Sequence, residues 1–144
     1  MRTYKVLRFP LKPNQILVFG SNTQGRHGKG SALLAVQKCG AIYGQAEGLQ
    51  GQSWAIITKD LTKRVHPSRT DAQIREQIEK LYAFARVHTD KEFVVVYRAD
   101  NQNLNGYSSE ELASFFRGDI PENIIFEEGF SELVRANTKY SLFD

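Results

Sequence analysis

Residues 15–40 read Q-I-L-V-F-G-S-N-T-Q-G-R-H-G-K-G-S-A-L-L-A-V-Q-K-C-G, and they carry the strongest structural signals in the chain. The short apolar run Gln15–Phe19, bounded by Gly20, is typical of a strand buried on both faces. Good helix formers follow from Ser31 to Lys38, and Gly40 supplies a C-terminal stop. The stretch therefore predicts a strand, a glycine-rich loop and a helix in succession.

The rest of the chain continues the alternation of strands and helices. Further strands are predicted at Tyr4–Phe9, Trp54–Thr58, Phe93–Tyr97 and Asn123–Glu127. Further helices are predicted from Asp71 to about His88, from Ser108 through Phe116, and over Phe130–Ala136. Capping boxes mark two of the helix starts, Thr70 with Gln73 and Ser108 with Glu111. The sequence thus predicts an α/β fold with a mainly parallel sheet that is covered on both faces.

Length and composition indicate one ordinary globular domain over residues 1–144. The chain is 41% apolar and 24% charged, which argues against disorder. Its longest apolar or aromatic run, Phe93–Tyr97, is far below the roughly 20 residues of a membrane span, and residues 1–9 lack the apolar region of a signal peptide. With a single cysteine, an intrachain disulfide and a four-cysteine zinc site are excluded. We expect a cytoplasmic protein without a membrane partner.

Charge is distributed unevenly along the chain. The net charge is +3, but residues 1–70 hold 11 basic and 2 acidic residues, whereas residues 71–144 hold 8 and 14. The asymmetry favours an anionic ligand or partner facing the first half. Alternatively, the two halves attract each other across the fold.

Eight of the eleven glycines fall between Gly20 and Gly51. In the first part of this cluster, glycines lie between a predicted strand and a predicted helix. Such a loop directs backbone N–H groups at one place beside a helix N-terminus, which is typical of a phosphate site. The alternative is a loop that needs glycine only to turn and pack. The candidate binding residues here are Gly20, Ser21, Asn22, Gly25, Arg26, Gly28, Lys29 and Gly30.

Two familiar phosphate loops do not apply. Gly20 and Gly25 have P-loop spacing, but Arg26 and His27 stand where a lysine and a hydroxyl residue are required. The glycines of residues 25–30 have the dinucleotide-fold spacing reversed, and no acid ends the next strand at the expected distance.

The second part of the cluster, residues 40–53, is too polar and rich in glycine to be a buried element. We expect a loop that closes over a ligand, with Gln45 and Gly48 as binding candidates. Tyr43 and Trp54 are available to stack on a base, or they belong to the core.

Candidate chemistry lies at the predicted carboxyl ends of the strands, where ligands bind in such sheets. Asp60 and Asp100 each follow a strand, and either could activate a water; the adjacent Lys59 and Arg98 would neutralise ligand charge or pair with these acids. His27, within the glycine loop, is a general acid or a structural hydrogen-bonding group. Thr58, Lys59, Asn101 and Gly106 complete the binding candidates.

The sequence predicts no metal and no cofactor. His66 and His88 have no partners at ligand spacing, and Cys39 is expected to be a packed residue at a helix end.

Several blocks of this sequence resemble a family of small bacterial and phage proteins that is similar to the macro domains, which bind ADP-ribose. The specific blocks are Ile16–Asn22, Gly25–Ala32, Gly40–Gln45, Gly48–Ala55 and Thr58–Asp60. The resemblance continues weakly through Phe93–Tyr97, Gly106–Tyr107 and Asn123–Phe130.

The resemblance implies a three-layer α/β/α fold with a mainly parallel mixed sheet, in a bacterial or phage-infected cytosol. It also implies that Asn22 contacts the distal ribose and that Gly25, Gly28 and Gly30 wrap the diphosphate. Some macro domains only bind ADP-ribose, whereas others hydrolyse it from protein or nucleic acid or remove its terminal phosphate. This chain departs from the pattern at residues 98–106, where only Gly106 is kept of a second glycine-rich loop.

The first hypothesis is therefore a protein that binds ADP-ribose or a related nucleotide diphosphate. If it is an enzyme, it would be an ADP-ribosyl hydrolase or an ADP-ribose 1″-phosphate phosphatase, with His27, Asp60 and Asp100 as acid–base groups. Two alternatives are a nucleic-acid-binding module that uses the basic first half and a non-catalytic scaffold that has lost its pocket. The sequence leaves the oligomeric state open.

Overall fold

A computed structural model describes residues 1–100 and 102–141, with side chains up to residue 137. Its elements in chain order are β1 (Thr3–Tyr4), β2 (Gln15–Asn22), α1 (Gly30–Cys39), β3 (Gly48–Gln50), β4 (Ser53–Lys59), α2 (Asp71–Val87), β5 (Glu92–Val95), α3 (Ser109–Phe115), β6 (Ile124–Glu127) and α4 (Glu128–Ser141).

The strands of the described chain form one six-stranded sheet in the order β1-β6-β5-β2-β4-β3. Neighbouring strands run parallel except β3, which pairs antiparallel with β4. Strand β2 is central: Val18 lies opposite Val95 of β5 on one side and Trp54 of β4 on the other. The predicted α/β fold with a mainly parallel sheet is confirmed.

The two faces of the sheet carry separate hydrophobic cores, as the alternation of β2 shows. Ile16 and Val18 belong to a large core that includes residues of α2, α3 and α4. Leu17 and Phe19 point the other way, into a smaller core with α1. Because successive strand residues face opposite sides, a continuously apolar strand needs cover on both faces, and the helices supply it.

The predicted helix boundaries are largely confirmed. Both capping boxes form: Thr70 accepts from Gln73 N, and Ser108 accepts from Glu111 N, with the reciprocal side-chain bonds present. Helix α1 ends at Gly40, whose φ of 70° is the left-handed conformation of a helix stop.

The first predicted strand and the last predicted helix need correction. The first strand is only Thr3–Tyr4, because Leu7 and Phe9 leave the sheet and pack against the smaller core. Helix α4 begins before Phe130 and extends past Ala136. It starts early because the Glu127 carboxylate accepts from Gly129 N and Phe130 N, at 2.9 and 3.1 Å, and so caps it.

The prediction that residues 40–53 form only a loop was wrong, because they contain β3. The backbone of β3 pairs with β4, so the strand needs no apolar side chains of its own. Its Gln50 is buried with its amide satisfied: Oε1 accepts from Ile42 N at 2.8 Å, and Nε2 donates to Gln45 O at 3.1 Å.

Among the described helices, none has both the length and the apolar character needed to cross a membrane.

Candidate functional site

A cleft of about 560 Å³ lies at the carboxyl ends of β2, β4 and β5. Its volume is in the range of small-molecule sites. The parallel strands end together at this edge, and three segments wall the cleft: the β2–α1 loop, the end of β4 and the β5–α3 loop. It is lined by Gly20, Ser21, Asn22, Arg26, Gly28, Lys29, Gly30, Ser31, Ala32, Thr58, Lys59, Leu61, Val96, Tyr97, Gln102, Asn103, Leu104 and Asn105.

Asn22, the last residue of β2, holds the glycine loop in place. Its Oδ1 accepts from the backbone N–H groups of Gln24 at 3.2 Å and Arg26 at 2.9 Å, and its Nδ2 donates to Arg26 O at 2.9 Å. The amide is therefore already used to fix the main chain of the loop. One hydrogen of Nδ2 is left over by these contacts.

Gly25 packs away from the cleft. Its φ is +64°, and a Cβ there would lie 2.6 Å from the carbonyl carbon of Gly44 and 2.8 Å from backbone atoms of Gln45. Gly44 N also donates to Gly25 O at 2.8 Å. This glycine is required by close packing of two loops, which is the alternative that the sequence left open for the cluster.

The N-terminus of α1 opens onto the cleft without a side-chain cap. Its N-cap residue, Lys29, is extended and makes no capping hydrogen bond, and the first turn contains no acidic residue. Gly30 and Ser31, at the start of the helix, line the cleft. The first N–H groups of a helix have no partners within it and favour an anion.

The charged side chains that line the cleft are all cations: Arg26, Lys29 and Lys59. Within the described chain, none of the three takes part in an ion pair. No carboxylate is found among the lining residues that the structure describes. The cleft therefore attracts an anion.

The floor of the cleft is formed by Gly20, Thr58 and Tyr97. The Thr58 hydroxyl donates to Ser21 O at 3.2 Å. The buried Tyr97 hydroxyl has no hydrogen bond of ordinary geometry to any described residue. Burial raises the pKa of Tyr97 well above its ordinary value, an effect that the nearby Thr58 hydroxyl partly offsets. A Cβ at Gly20 would lie 2.7 Å from the Tyr97 oxygen, so the floor has no room for a larger residue there.

The opposite wall comes from the β5–α3 loop and is built from side chains. Asn103 Nδ2 donates to Tyr107 O at 3.0 Å, and Tyr107 N donates to Asn105 Oδ1 at 2.9 Å. Between them, Leu104 is 59% exposed, and its Cδ1 lies 3.3 Å from where a Cβ of Gly30 would be. The loop thus reaches over the start of α1.

His27 lies outside the cleft lining and is buried, with 1% of its surface exposed. Its Nε2 is 2.9 Å from Gln45 O and 3.2 Å from Gln50 Oε1. Both partners are acceptors, so Nε2 carries the hydrogen. The ring also packs edge-on against Phe19 at 5.2 Å. This geometry matches the structural role that the sequence left open beside the catalytic one.

The two candidate carboxylates also lie outside the lining. Asp60 accepts from Thr62 N at 2.9 Å and Thr62 Oγ1 at 2.7 Å, and these bonds hold its pKa below the ordinary value. The Asp100 side chain is 71% exposed and accepts from Arg98 Nε at 3.2 Å. Asp100 thus pairs with Arg98, as the sequence offered for its alternative role, whereas Asp60 bonds to Thr62 and not to Lys59.

The remaining predicted binding residues are placed as follows. Gln45 Nε2 donates to Leu49 O at 3.0 Å and Gly48 begins β3, and neither residue lines the cleft. Gly106 is also outside the lining, backed against His66 and Pro67. Asn101 lies outside the described residues.

Of the aromatic residues considered for stacking, Trp54 belongs to the core, 4.7 Å from the Phe84 ring. Tyr43 is 63% exposed and does not line the cleft.

The structure thus brings nine of the predicted residues together in the cleft, and sequence reasoning missed others. The nine are Gly20, Ser21, Asn22, Arg26, Gly28, Lys29, Gly30, Thr58 and Lys59. Tyr97 was assigned only to a strand, although its place at the strand's carboxyl end was a signal. Residues 102–105 lie in the segment 98–106, which the resemblance singled out as a departure from a second glycine-rich loop, but they were not named as binding residues.

The described lining offers hydrogen-bonding and cationic groups but no histidine, cysteine or carboxylate. No group of three or more His, Cys, Asp or Glu able to hold a metal occurs among the described residues. The arrangement is suited to binding an anion.

No family model matches this chain, and no curated protein or solved structure matches it. The class that the fold and the cleft define is an α/β protein with a cationic cleft at the carboxyl edge of its sheet. The resemblance to macro domains rests on the sequence blocks alone.

Proposed function

We propose that this protein binds ADP-ribose or a related nucleotide diphosphate in the cleft. The observation that carries the proposal is the uncapped N-terminus of α1, which opens onto a cleft with three unpaired cations and no described carboxylate. The diphosphate lies against the main chain of residues 28–31, where helix N–H groups converge.

The size and chemistry of the cleft support a nucleotide over a simple phosphate ion. A volume of about 560 Å³ far exceeds one phosphate group. The exposed amide of Gln102 lies on the wall opposite the helix, as a donor and acceptor suited to a ribose hydroxyl or a base edge. Asn103 and Asn105 hold the backbone of that wall. Leu61 offers an apolar surface to the nucleotide.

We assign Asn22 two roles in this complex. Its hydrogen bonds to residues 24 and 26 preset the loop, so the main chain that receives the diphosphate needs little reordering on binding. The second hydrogen of Nδ2 is the atom left for a ribose hydroxyl, which is the contact that the family resemblance implies.

Binding without hydrolysis is the favoured activity. The three predicted acid–base residues each make their contacts outside the lining: His27 with Gln45, Asp60 with Thr62, and Asp100 with Arg98. A hydrolase would need a group positioned to activate water within hydrogen-bond reach of the bond that breaks.

The proposal is tested by calorimetric titration with ADP-ribose, with AMP and ATP as controls, at two salt concentrations. Saturable binding that prefers ADP-ribose is expected, without release of products on long incubation. The absence of heat with all three nucleotides would contradict the proposal and favour a scaffold that has lost its pocket.

Gly28→Val provides the matched test of the site. A Cβ at Gly28 meets no atom of the described residues within 4 Å, so the substitution fills the cleft without a clash against that part of the chain. We expect ADP-ribose affinity to fall at least tenfold while the melting temperature stays close to that of the natural protein. Ala72→Val, which adds similar bulk on an exposed position of α2, is the control. Unchanged affinity in folded Gly28→Val would exclude the loop as the diphosphate site.

A further inference from the structure

The loop between β4 and α2, residues 60–70, forms a fixed border of the cleft. It begins next to Lys59 and includes Leu61, both of which line the cleft. Thr23 ties this end to the glycine loop, since its N–H donates to Lys59 O at 3.0 Å and its hydroxyl accepts from Leu61 N at 3.1 Å.

The far end of the same loop is held by the β5–α3 loop. The Tyr107 hydroxyl donates to Arg69 O at 2.5 Å. Gly106, with a φ of +86°, allows the two main chains to touch: a Cβ there would lie 2.5 Å from backbone atoms of His66 and Pro67. The side chains on the loop are therefore presented from an anchored main chain.

Two cations on this loop are free to meet a partner. Lys63 and Arg64 are both exposed, and neither forms an ion pair within the described residues. The nearest carboxylate in sequence, Asp60, accepts hydrogen bonds from Thr62, and these bonds are the main cause of its lowered pKa. The charge of Lys63 lowers the pKa of Asp60 by a smaller amount. Arg69 differs, because it is half-buried and acts electrostatically on both Asp60 and Glu47.

The charge along this border exceeds what one small ligand needs. Three cations that form no ion pair with a described residue already line the cleft, enough for a diphosphate. Lys63 and Arg64 follow Lys59 by four and five residues on the loop that is anchored beside the cleft, and they add positive charge outside its lining. A ligand whose phosphates extend past the cleft would contact both the cations of the lining and the pair Lys63 and Arg64.

We propose that the cleft receives its nucleotide as part of a single-stranded nucleic acid, whose neighbouring phosphates lie along Lys63 and Arg64. This inference rests on the proposed function, because a cleft that holds a nucleotide determines which polyanion fits. In a strand, the next phosphate is covalently joined to the bound nucleotide, which an acidic peptide does not offer. Contacts of cations with phosphates release counterions and give salt-dependent affinity.

The test compares a fluorescent twelve-nucleotide oligothymidylate with ADP-ribose on the same protein. The double variant Lys63→Ala/Arg64→Ala removes both charges of this loop segment, and Arg117→Ala/Arg135→Ala removes the same charge at exposed positions outside the cleft. We expect the first variant to weaken oligonucleotide binding at least fivefold at low salt, with ADP-ribose affinity unchanged. The slope of log affinity against log salt should fall in magnitude by about 1.4, or about 0.7 for each lost phosphate contact. The control variant should change neither.

Competition then separates this inference from the proposed function. ADP-ribose should displace the oligonucleotide, and Gly28→Val should lower the affinity for both ligands. The inference is overturned if the oligonucleotide does not bind, if the control pair weakens it equally, or if polyglutamate of equal charge binds as tightly. Oligonucleotide binding that ADP-ribose cannot displace also overturns it. Failure of ADP-ribose alone to bind contradicts the proposed function, and it is read from a separate titration.

Discussion

The β2–α1 loop and the β5–α3 loop face each other across the cleft, and they wall it with different groups. In the β2–α1 loop, glycines expose main chain to the cleft, and Asn22 fixes that main chain through Gln24 and Arg26. In the β5–α3 loop, Asn103 and Asn105 also hold the backbone, but side chains fill the wall.

Each of the two loops has a glycine at the position where another main chain packs against it. Gly25 lies against residues 44 and 45, and Gly106 lies against residues 66 and 67. The difference is at the positions that face the cleft, where Gly28 is open and Leu104 is bulky. One wall is therefore suited to receive an anion, and the other to limit what enters.

The largest expected effect comes from breaking the packing of the first loop with Gly25→Ala. A Cβ at a φ of +64° and within 2.8 Å of three backbone atoms is both strained and crowded. We expect the free energy of unfolding to fall by about 3 kcal/mol, combining the left-handed conformation with overpacking. Urea denaturation measures it, and Gly28→Ala is the control, since its Cβ meets no described atom within 4 Å. Equal stability of the two variants would show that close packing does not determine where glycine is needed.

Lys29→Asp should move stability and binding in opposite directions. Position 29 is an extended N-cap without a capping bond, so aspartate there supplies both a cap and a favourable charge at the helix N-terminus. We expect the free energy of unfolding to rise by about 1 kcal/mol and ADP-ribose affinity to fall at least tenfold. Lys29→Ser, which caps without a negative charge, should be stabilised while losing less affinity. If Lys29→Asp binds normally, the anion does not lie at this helix end.

The sequence was sufficient for most of the fold because its signals are local. Periodic apolar faces, Thr70 with Gln73, Ser108 with Glu111 and the helix stop at Gly40 each act within a few residues, and each formed. Strand β3 was missed because its backbone pairing with β4 stabilises it, and a pairing partner is not visible in a polar, glycine-rich segment.

The candidate site was only partly predictable, for a related reason. Cleft residues on the β2–α1 loop and at the end of β4 follow strands directly, so their place was set by the sheet. The glycine pattern did not show which glycines face a ligand: Gly28 does, whereas Gly25 serves a contact with residues 44 and 45. Similarly, only the folded chain reveals that His27 turns toward Gln45 and Gln50.

Tyr97, at the start of the second wall, offers a smaller and pH-dependent effect. Its buried hydroxyl has no hydrogen-bond partner among the residues that the structure describes, so Tyr97→Phe should raise the free energy of unfolding by about 1 kcal/mol at neutral pH. Burial raises the folded-state pKa of Tyr97 above the ordinary value of 10.0, so above pH 10 the phenol ionises in the unfolded chain before it does in the folded one. The stability of the natural protein therefore falls as the pH rises above 10. The advantage of the variant should therefore grow between pH 8 and pH 10.5 in denaturation curves. A constant advantage would contradict the burial of the phenol. Weaker ADP-ribose binding by the variant would show that the hydroxyl turns to the ligand.

The smallest expected effect tests the second wall directly with Leu104→Ala. The side chain is 59% exposed and reaches toward Gly30, so removing it opens the start of α1 at little structural cost, within about 0.5 kcal/mol of stability. If Leu104 limits access, ADP-ribose affinity should rise about threefold, equivalent to about 0.6 kcal/mol, chiefly through faster association. Stopped-flow binding separates the association and dissociation rates, and Leu49→Ala, an exposed leucine outside the cleft, is the control. A loss of affinity through faster dissociation would reverse the interpretation, because the leucine would then contact the ligand. In that case both loops would bind the nucleotide, the β2–α1 loop through main-chain N–H groups and the β5–α3 loop through an apolar side chain.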